Sequence, residues 1–239
     1  MTIKIADLRV KIYADGADKA GMLEMYQHAH ISGFTTNPTL MHKAGIKDYF
    51  SFAKDIVASI PDRSISFEVF SDDFNEMRTQ ALKIASFGDN VFVKIPVTNT
   101  KKESAVDLIK ALSQEGVKLN VTALMTTAQV ETVTAALKDS AAAYISLFAG
   151  RIADTGCDPL PIMQTALKIM SPYPQLELIW ASPRELLNII QANDIGCHII
   201  TVTNDVLKKL SLLGKNLDEY SLDTVKMFRQ DALNAGFKI

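Results

Sequence analysis

Short apolar runs rich in β-branched residues alternate along this chain with longer segments whose apolar positions recur every three or four residues. The first pattern predicts buried strands and the second amphipathic helices. Ile12-Tyr13-Ala14-Asp15 is the first predicted strand. A helical pattern from about Lys19 to Ile31 carries Met22, Leu23, Met25, Tyr26 and Ala29 on its apolar side, and Gly33 is expected to end it. Phe34 to Asn37 is the second strand. Asn37-Pro38 then reads as an N-cap with proline at the first helical position. A helix from about Lys47 to Ser59 stops at Pro61. Ile65 to Phe70 is the third strand, and Asp73 with Glu76 has capping-box spacing for a helix reaching Phe87. Val91 to Thr98 is the fourth, and Thr100 with Glu103 is expected to box the start of a helix to about Gln114. Val117 to Leu124 is the fifth strand, with a helix over Ala128 to Lys138. Ala143 to Phe148 is the sixth, followed by a loop, Arg151 to Asp158, and a helix over Leu160 to Met170. Leu176 to Ala181 is the seventh. Ser182-Pro183-Arg184-Glu185 reads as N-cap, first-turn proline and capping-box glutamate. Cys197 to Thr203 is the eighth strand, with a helix over Val206 to Leu212 and a surplus one over about Leu222 to Ala235.

Eight strands, each followed by a helix, with no linker or low-complexity segment, predict an α/β fold. It is a single (β/α)8 TIM barrel over residues 1–239, with about 216–239 as a C-terminal tail carrying an additional helix. A doubly wound open sheet would need a glycine-rich turn after its first strand to bind a dinucleotide, and Asp15-Gly16-Ala17-Asp18 is not one.

Composition narrows the function classes. The 239 residues are 48% hydrophobic and 22% charged, with a net charge of −2, an ordinary globular composition. That balance leaves no electrostatic footprint for nucleic acid or an anionic membrane. No apolar run approaches a membrane span. The stretch Met1 to Ile12 is broken by Lys4, Asp7, Arg9 and Lys11, unlike a signal peptide. With two cysteines, Cys157 and Cys197, far apart in sequence, a reduced, cytoplasmic protein is expected. His28 and His30 point to different sides of a helical pattern, so no metal site is expected there.

The fourth strand carries one charge in an apolar run, Lys94. Burial disfavours an ammonium, and a neutral amine is what a carbonyl substrate needs to form a Schiff base. A lysine whose stem packs while its head reaches water would look the same in isolation. At or near the C-terminal ends of the strands stand Asp15, Asn37, Glu68, Lys94, Asn120 with Thr122, Ser146 and Ser182. In a barrel these ends converge on one mouth. Asn37 and Ser182 could each be a helix cap, Thr122 an ordinary strand residue, and Glu68 a simple partner for Lys94, but packing does not explain the whole set. Arg151 and Arg184, with Ser182, suit an anionic substrate at the usual barrel phosphate position.

Several segments carry a resemblance: Ala14-Asp15, Thr35-Thr36-Asn37-Pro38-Thr39-Leu40, Val93-Lys94-Ile95-Pro96, Asn120-Val121-Thr122, Gly150-Arg151-Ile152 and Ala181-Ser182. In these the chain resembles the transaldolase family, including its small bacterial members and the fructose-6-phosphate aldolases. The resemblance implies a barrel with a Schiff-base lysine at Lys94 and acid/base carboxylates at Asp15 and Glu68. Thr122 would position a water with Glu68. Asn37 and Asn120 would hold the hydroxyls of a dihydroxyacetone unit, and Ser146 would line the site. Arg151, Ser182 and Arg184 would hold phosphate. Phe148 and Glu68 are of the transaldolase type, since the aldolases carry tyrosine and glutamine there.

The implied reaction moves a dihydroxyacetone unit from a ketose phosphate, of the fructose 6-phosphate or sedoheptulose 7-phosphate type, to an aldose phosphate. It needs no metal or organic cofactor and belongs to the pentose phosphate pathway. Alternatives are an aldolase releasing free dihydroxyacetone, an isomerase without a covalent lysine, or a non-catalytic sugar-phosphate-binding barrel. The expected partners are small sugar phosphates and further copies of the chain in a homo-oligomer, with a decamer as one candidate, but neither nucleic acid nor membrane.

Overall fold

The structure, a computed structural model, describes residues 4–238. Eight parallel strands close into a barrel in chain order, with β8 returning to β1. They are β1 Lys11–Asp15, β2 Ile31–Thr35, β3 Ser64–Glu68, β4 Val91–Pro96, β5 Leu119–Leu124, β6 Ala143–Leu147, β7 Leu176–Trp180 and β8 Ile199–Thr203. The helices between and after them are α1 Lys19–Tyr26, α2 Pro38–Lys43, α3 Tyr49–Ser59, α4 Phe74–Ala85, α5 Val106–Gln114 and α6 Thr127–Leu137. They continue with α7 Ala149–Asp154, α8 Leu160–Met170, α9 Leu187–Asp194, α10 Asn204–Leu207 and α11 Leu217–Asn234. No helix among the described residues is long and apolar enough to cross a membrane.

The period of two along each strand sorts side chains into two cores. One set packs outward against the helices and includes Phe34, Phe67, Val93, Ile95, Ile145 and Trp180. The other fills the lower barrel: Tyr13, Phe92, Tyr144, Ile179, Ala181 and Ile199. There the Phe92 and Tyr144 rings stack at 3.9 Å, and the Tyr13 hydroxyl lies 3.0 Å from that of Tyr144. This apolar layer is the floor under the mouth. Above it the strand register sets Glu68 beside Lys94 and Lys94 beside Asn120. The same register sets Asp15 between Thr35 and Thr203.

Several local signals resolve differently. The first helix stops at Tyr26, and Gly33 lies inside β2 instead of ending that helix. A Cβ at Gly33 would sit 2.6 Å from the Tyr13 ring, so this glycine is there to admit the ring. Thr100 and Glu103 do not cap α5. Thr100 bonds instead through its amide and hydroxyl to the Asp72 carboxylate, and Glu103 pairs with the Asn99 side chain. Asp73 does cap α4, but Glu76 accepts from the Ser71 hydroxyl instead of closing a box. A further capping box forms at Thr126 and Gln129. The segment after Phe148 begins with the short helix α7 instead of a loop, and α11 starts at Leu217, earlier than the apolar pattern suggests.

Ser182-Pro183-Arg184-Glu185 does not open a helix. Asn188 accepts from the amides of Arg184 and Glu185, α9 begins at Leu187, and Ser182 lies at φ 60°. The cause is a close approach. Gly150 of α7 faces the Ser182 carbonyl so tightly that a Cβ there would come within 1.5 Å of the oxygen.

Candidate active site

A cavity of about 300 Å³ opens at the C-terminal end of the barrel. Asp15, Asn37, Lys94, Thr122, Ser146, Phe148, Arg151, Ser182 and Arg184 line it, so the segments flagged in the sequence do converge. Glu68 does not line it but stands against Lys94, and Asn120 is buried in β5 with bonds to Ser66 of β3 and Ser146 of β6.

Lys94 is 6% exposed. Its Nζ donates to the Thr36 carbonyl at 2.9 Å and stands 3.2 Å from Glu68 Oε2. A buried ammonium is tolerated only with such partners. The carboxylate is also a base within one proton transfer of the amine.

Asp15 is anchored on one side only. Thr35 donates to its Oδ1 at 2.7 Å, and Thr35 is in turn in short contact with the Thr201 hydroxyl. Because the Thr35 proton is committed to Asp15, Thr201 is the donor in that second contact. The relay fixes the carboxylate of Asp15, which lines the cavity. Burial raises the Asp15 pKa from its usual carboxylate value. Lys94 and the Thr35 hydrogen bond oppose that rise, and the Glu68 charge adds to it.

Asn120 is fully buried and oriented at both ends. Ser146 donates to its Oδ1 at 2.7 Å, and its Nδ2 donates to Ser66 at 3.0 Å. Thr122, two residues on, faces the same way, and its buried Oγ1 has no partner. A buried hydroxyl left unpaired costs about 1–3 kcal/mol. Thr122 faces the cavity, so a water or a substrate oxygen there would recover that cost. The next residue, Ala123, lies at φ 66°, where the β5–β6 pairing slips between Val121 and Leu124. Strain of this kind gathers at sites whose surroundings over-determine the backbone.

Asn37 serves two purposes. Its Oδ1 accepts from the Leu40 amide at 2.9 Å and caps α2, while its amide nitrogen is left for the cavity. The two arginines differ. The Arg184 guanidinium forks onto the Asp154 carboxylate, with Nε 3.0 Å from Oδ1 and Nη2 in contact with Oδ2. Arg151 lies 5.9 Å over the Phe148 ring.

The cavity also contains Thr35, Thr201, Thr203 and Asp205, which the sequence reading passed over. Thr201 and Thr203 share the parity of Ile199 along β8, so period two placed them on the inner face. Treating the eighth strand like the others would have found them.

A family model described as Transaldolase/Fructose-6-phosphate aldolase matches residues 12–239. The chain belongs to that family. A probable transaldolase from Thermoanaerobacter sp. is 34% identical over 231 residues, covering 96% of this chain and 100% of the relative. One from Dehalococcoides mccartyi is 35% identical over 202 residues, covering 84% and 90% respectively. Among solved structures, the chain is similar to an aldolase, QR15, with a TM-score of 0.56 at 13% identity. That match covers 87% of this chain and 99% of the other. It is also similar to a mandelate oxidase variant, with a TM-score of 0.58 at 12% identity, covering 91% and 76%. At such identities these two report the barrel alone. Membership in the transaldolase/aldolase family carries an aldolase-type function.

Proposed function

We propose that the chain is a class I transaldolase that forms a Schiff base on Lys94 and transfers a dihydroxyacetone unit between sugar phosphates. The observation that carries this reading is the buried Lys94 amine, 3.2 Å from Glu68 Oε2 and facing the same cavity as Asp15. Glu68 takes the amine's proton, and the freed amine adds to the ketone of a ketose phosphate. The carbinolamine loses water with acid help from Glu68, through a water held at Thr122, and leaves an iminium. Asp15 Oδ2 takes the proton of the C4 hydroxyl. The C3–C4 pair flows into the iminium, which is the electron sink, and an aldehyde phosphate departs. The enamine left on Lys94 adds to the acceptor aldehyde, Asp15 returns its proton to the new alkoxide, and water hydrolyses the resulting iminium to free the new ketose phosphate and Lys94. Asn37 holds a hydroxyl of the retained unit, and Asn120, bonded at both ends, acts on that unit by orienting Ser146, which lines the cavity.

Transfer is favoured over release of free dihydroxyacetone by Phe148. A hydroxyl there could order a water and protonate the enamine, and a phenyl ring cannot. Borohydride trapping with fructose 6-phosphate, run beside an acceptor-free cleavage assay, tests both parts. The expected result is a reduced adduct on Lys94 and slow cleavage without acceptor. Absence of an adduct, or cleavage as fast as transfer, overturns the respective part.

Arg151, Ser182 and Arg184 are proposed to bind the phosphate. Arg151→Ala should weaken phosphorylated substrates on the order of 10-fold while sparing free dihydroxyacetone. Arg184→Ala should cost less, because Arg184 shares its guanidinium with Asp154. Substrate titrations with both classes check this, and equal losses for the two classes contradict it.

A homo-oligomer is proposed as well. α11 has no buried residue, and Leu217, Leu222, Val225, Phe228, Leu233 and Phe237 stand exposed on or beside it. A surface of this kind is what a second copy would cover. Sedimentation at micromolar concentration should show an assembly that is lost when residues from Leu217 onward are removed, and a monomeric intact chain contradicts it. Cytoplasmic location and a place in pentose phosphate metabolism belong to the same proposal.

A further inference from the structure

The β2–β3 pairing ends at Thr35 and Ser66, so the end of β3, where Glu68 sits, runs past its β2 partner. Between β2 and β3 the Thr36 amide donates to the Ser66 carbonyl at 3.0 Å. A parallel ladder repeats every two residues. Asn37 is extended, at φ −156° and ψ 164°, so the backbone continues in strand direction to residue 38. The next donor in register is therefore residue 38, and the next acceptor is the Glu68 carbonyl. Residue 38 is proline and has no N–H to give. It stands there because it opens α2 behind the Asn37 cap. The motif that turns β2 into α2 thus orphans the carbonyl of the residue that faces Lys94.

The Tyr49 hydroxyl fills the vacancy, donating to the Glu68 carbonyl at 2.6 Å. Tyr49 is the first residue of α3, and its ring is held edge-on to Phe67 at 6.4 Å and tilted against Phe70 at 5.5 Å. Burial and the nearby Glu68 charge raise its pKa above the usual tyrosine value, so the group remains a donor.

We propose that Tyr49 is a positioning residue for Glu68: its hydroxyl takes the ladder place that Pro38 leaves open and pins the end of β3, holding the Glu68 carboxylate against Lys94. This rests on the reading of Lys94 and Glu68 as the reacting pair. Without the bond, the carbonyl must find water, and the chain leaving β3 is tied to β4 by the residue after Glu68, whose amide, Val69 N–H, donates to the Lys94 carbonyl at 3.1 Å.

The experiment uses the full chain with Tyr49→Phe, alone and combined with Pro38→Ala, which restores an N–H at the ladder position. Three quantities are measured: amide exchange at Val69, kcat and KM with fructose 6-phosphate and an aldose phosphate, and the rate of borohydride trapping. Tyr49→Phe should stay folded and exchange faster at Val69. Its kcat and trapping rate should fall about 10-fold or more, with KM little changed, as expected for a misplaced catalytic group. Pro38→Ala in that background should restore both the protection and kcat. Unchanged exchange and kcat in Tyr49→Phe overturn the proposal. A loss that Pro38→Ala does not restore also overturns it, because the hydroxyl would then act otherwise than through the ladder. If the wild type forms no adduct, the Schiff-base reading fails separately, and the exchange measurement, which needs no substrate, decides the role of Tyr49 by itself.

Discussion

Lys94→Ala is expected to abolish both turnover and borohydride trapping while the barrel stays folded. The side chain projects from the middle of β4 into the cavity and not into either apolar core, so its loss opens space that water can enter. The variant leaves Glu68 without its ion-pair partner. In a fully buried pair that would cost about 3–5 kcal/mol. The Glu68 side chain is 20% exposed and solvent screens it, so the penalty is smaller. Lys94→Arg should fail equally, since a guanidinium does not give up its proton to become a nucleophile. Mass spectrometry of the reduced adduct, with circular dichroism as the control for folding, makes the check. An adduct on a different lysine, or turnover surviving in Lys94→Ala, would remove the proposed mechanism.

Asp15→Asn should separate condensation from carbon–carbon cleavage and stabilise the fold at the same time. The amide cannot take the C4 hydroxyl proton, so turnover should fall about 100-fold or more. Lys94 and Glu68 are untouched, so trapping should persist. Loss of trapping together with turnover would assign Asp15 a structural role.

The stability effect follows from the raised Asp15 pKa. A carboxyl whose pKa is higher folded than unfolded gives up its proton more readily in the unfolded chain. Ionisation therefore costs the fold nothing below the unfolded value of about 3.9, and its cost grows as pH rises through the raised native value. Asparagine resembles the protonated acid and escapes that cost. Thermal unfolding should show Asp15→Asn above wild type at pH 7, with the gap closing towards pH 4. A gap that is reversed, or that widens on acidification, would contradict the burial argument. Activity at the expense of stability is the usual bargain at such sites.

The fate of the capping signals shows how far local reading reaches. Asp73 caps α4 because its partners, the amides of Asn75 and Glu76, lie within its own turn. Thr100 has the same spacing to Glu103 but is taken by Asp72, 28 residues away in sequence, a competitor that no local window contains. Gly33 looks like a helix stop, yet its reason is the ring of Tyr13, its register partner on the neighbouring strand β1. Ser182 looks like a cap, yet the close approach of Gly150 sets its backbone.

The sequence by itself determined the order of eight strands and their helices, because period-two and helical patterns are properties of neighbouring residues. It determined the identity of Lys94, Asp15, Glu68 and their companions at the strand ends, because chain direction and parallel pairing force those ends to one mouth. Only the tertiary structure decided how these groups are tied together. The Thr201–Thr35–Asp15 relay, the Asn120 bonds to Ser66 and Ser146, the Arg184–Asp154 fork and the Tyr49 bond to Glu68 all join separate elements. Each depends on barrel register and on strand-to-helix distances, which arise when the sheet closes on itself and which no spacing along the chain encodes.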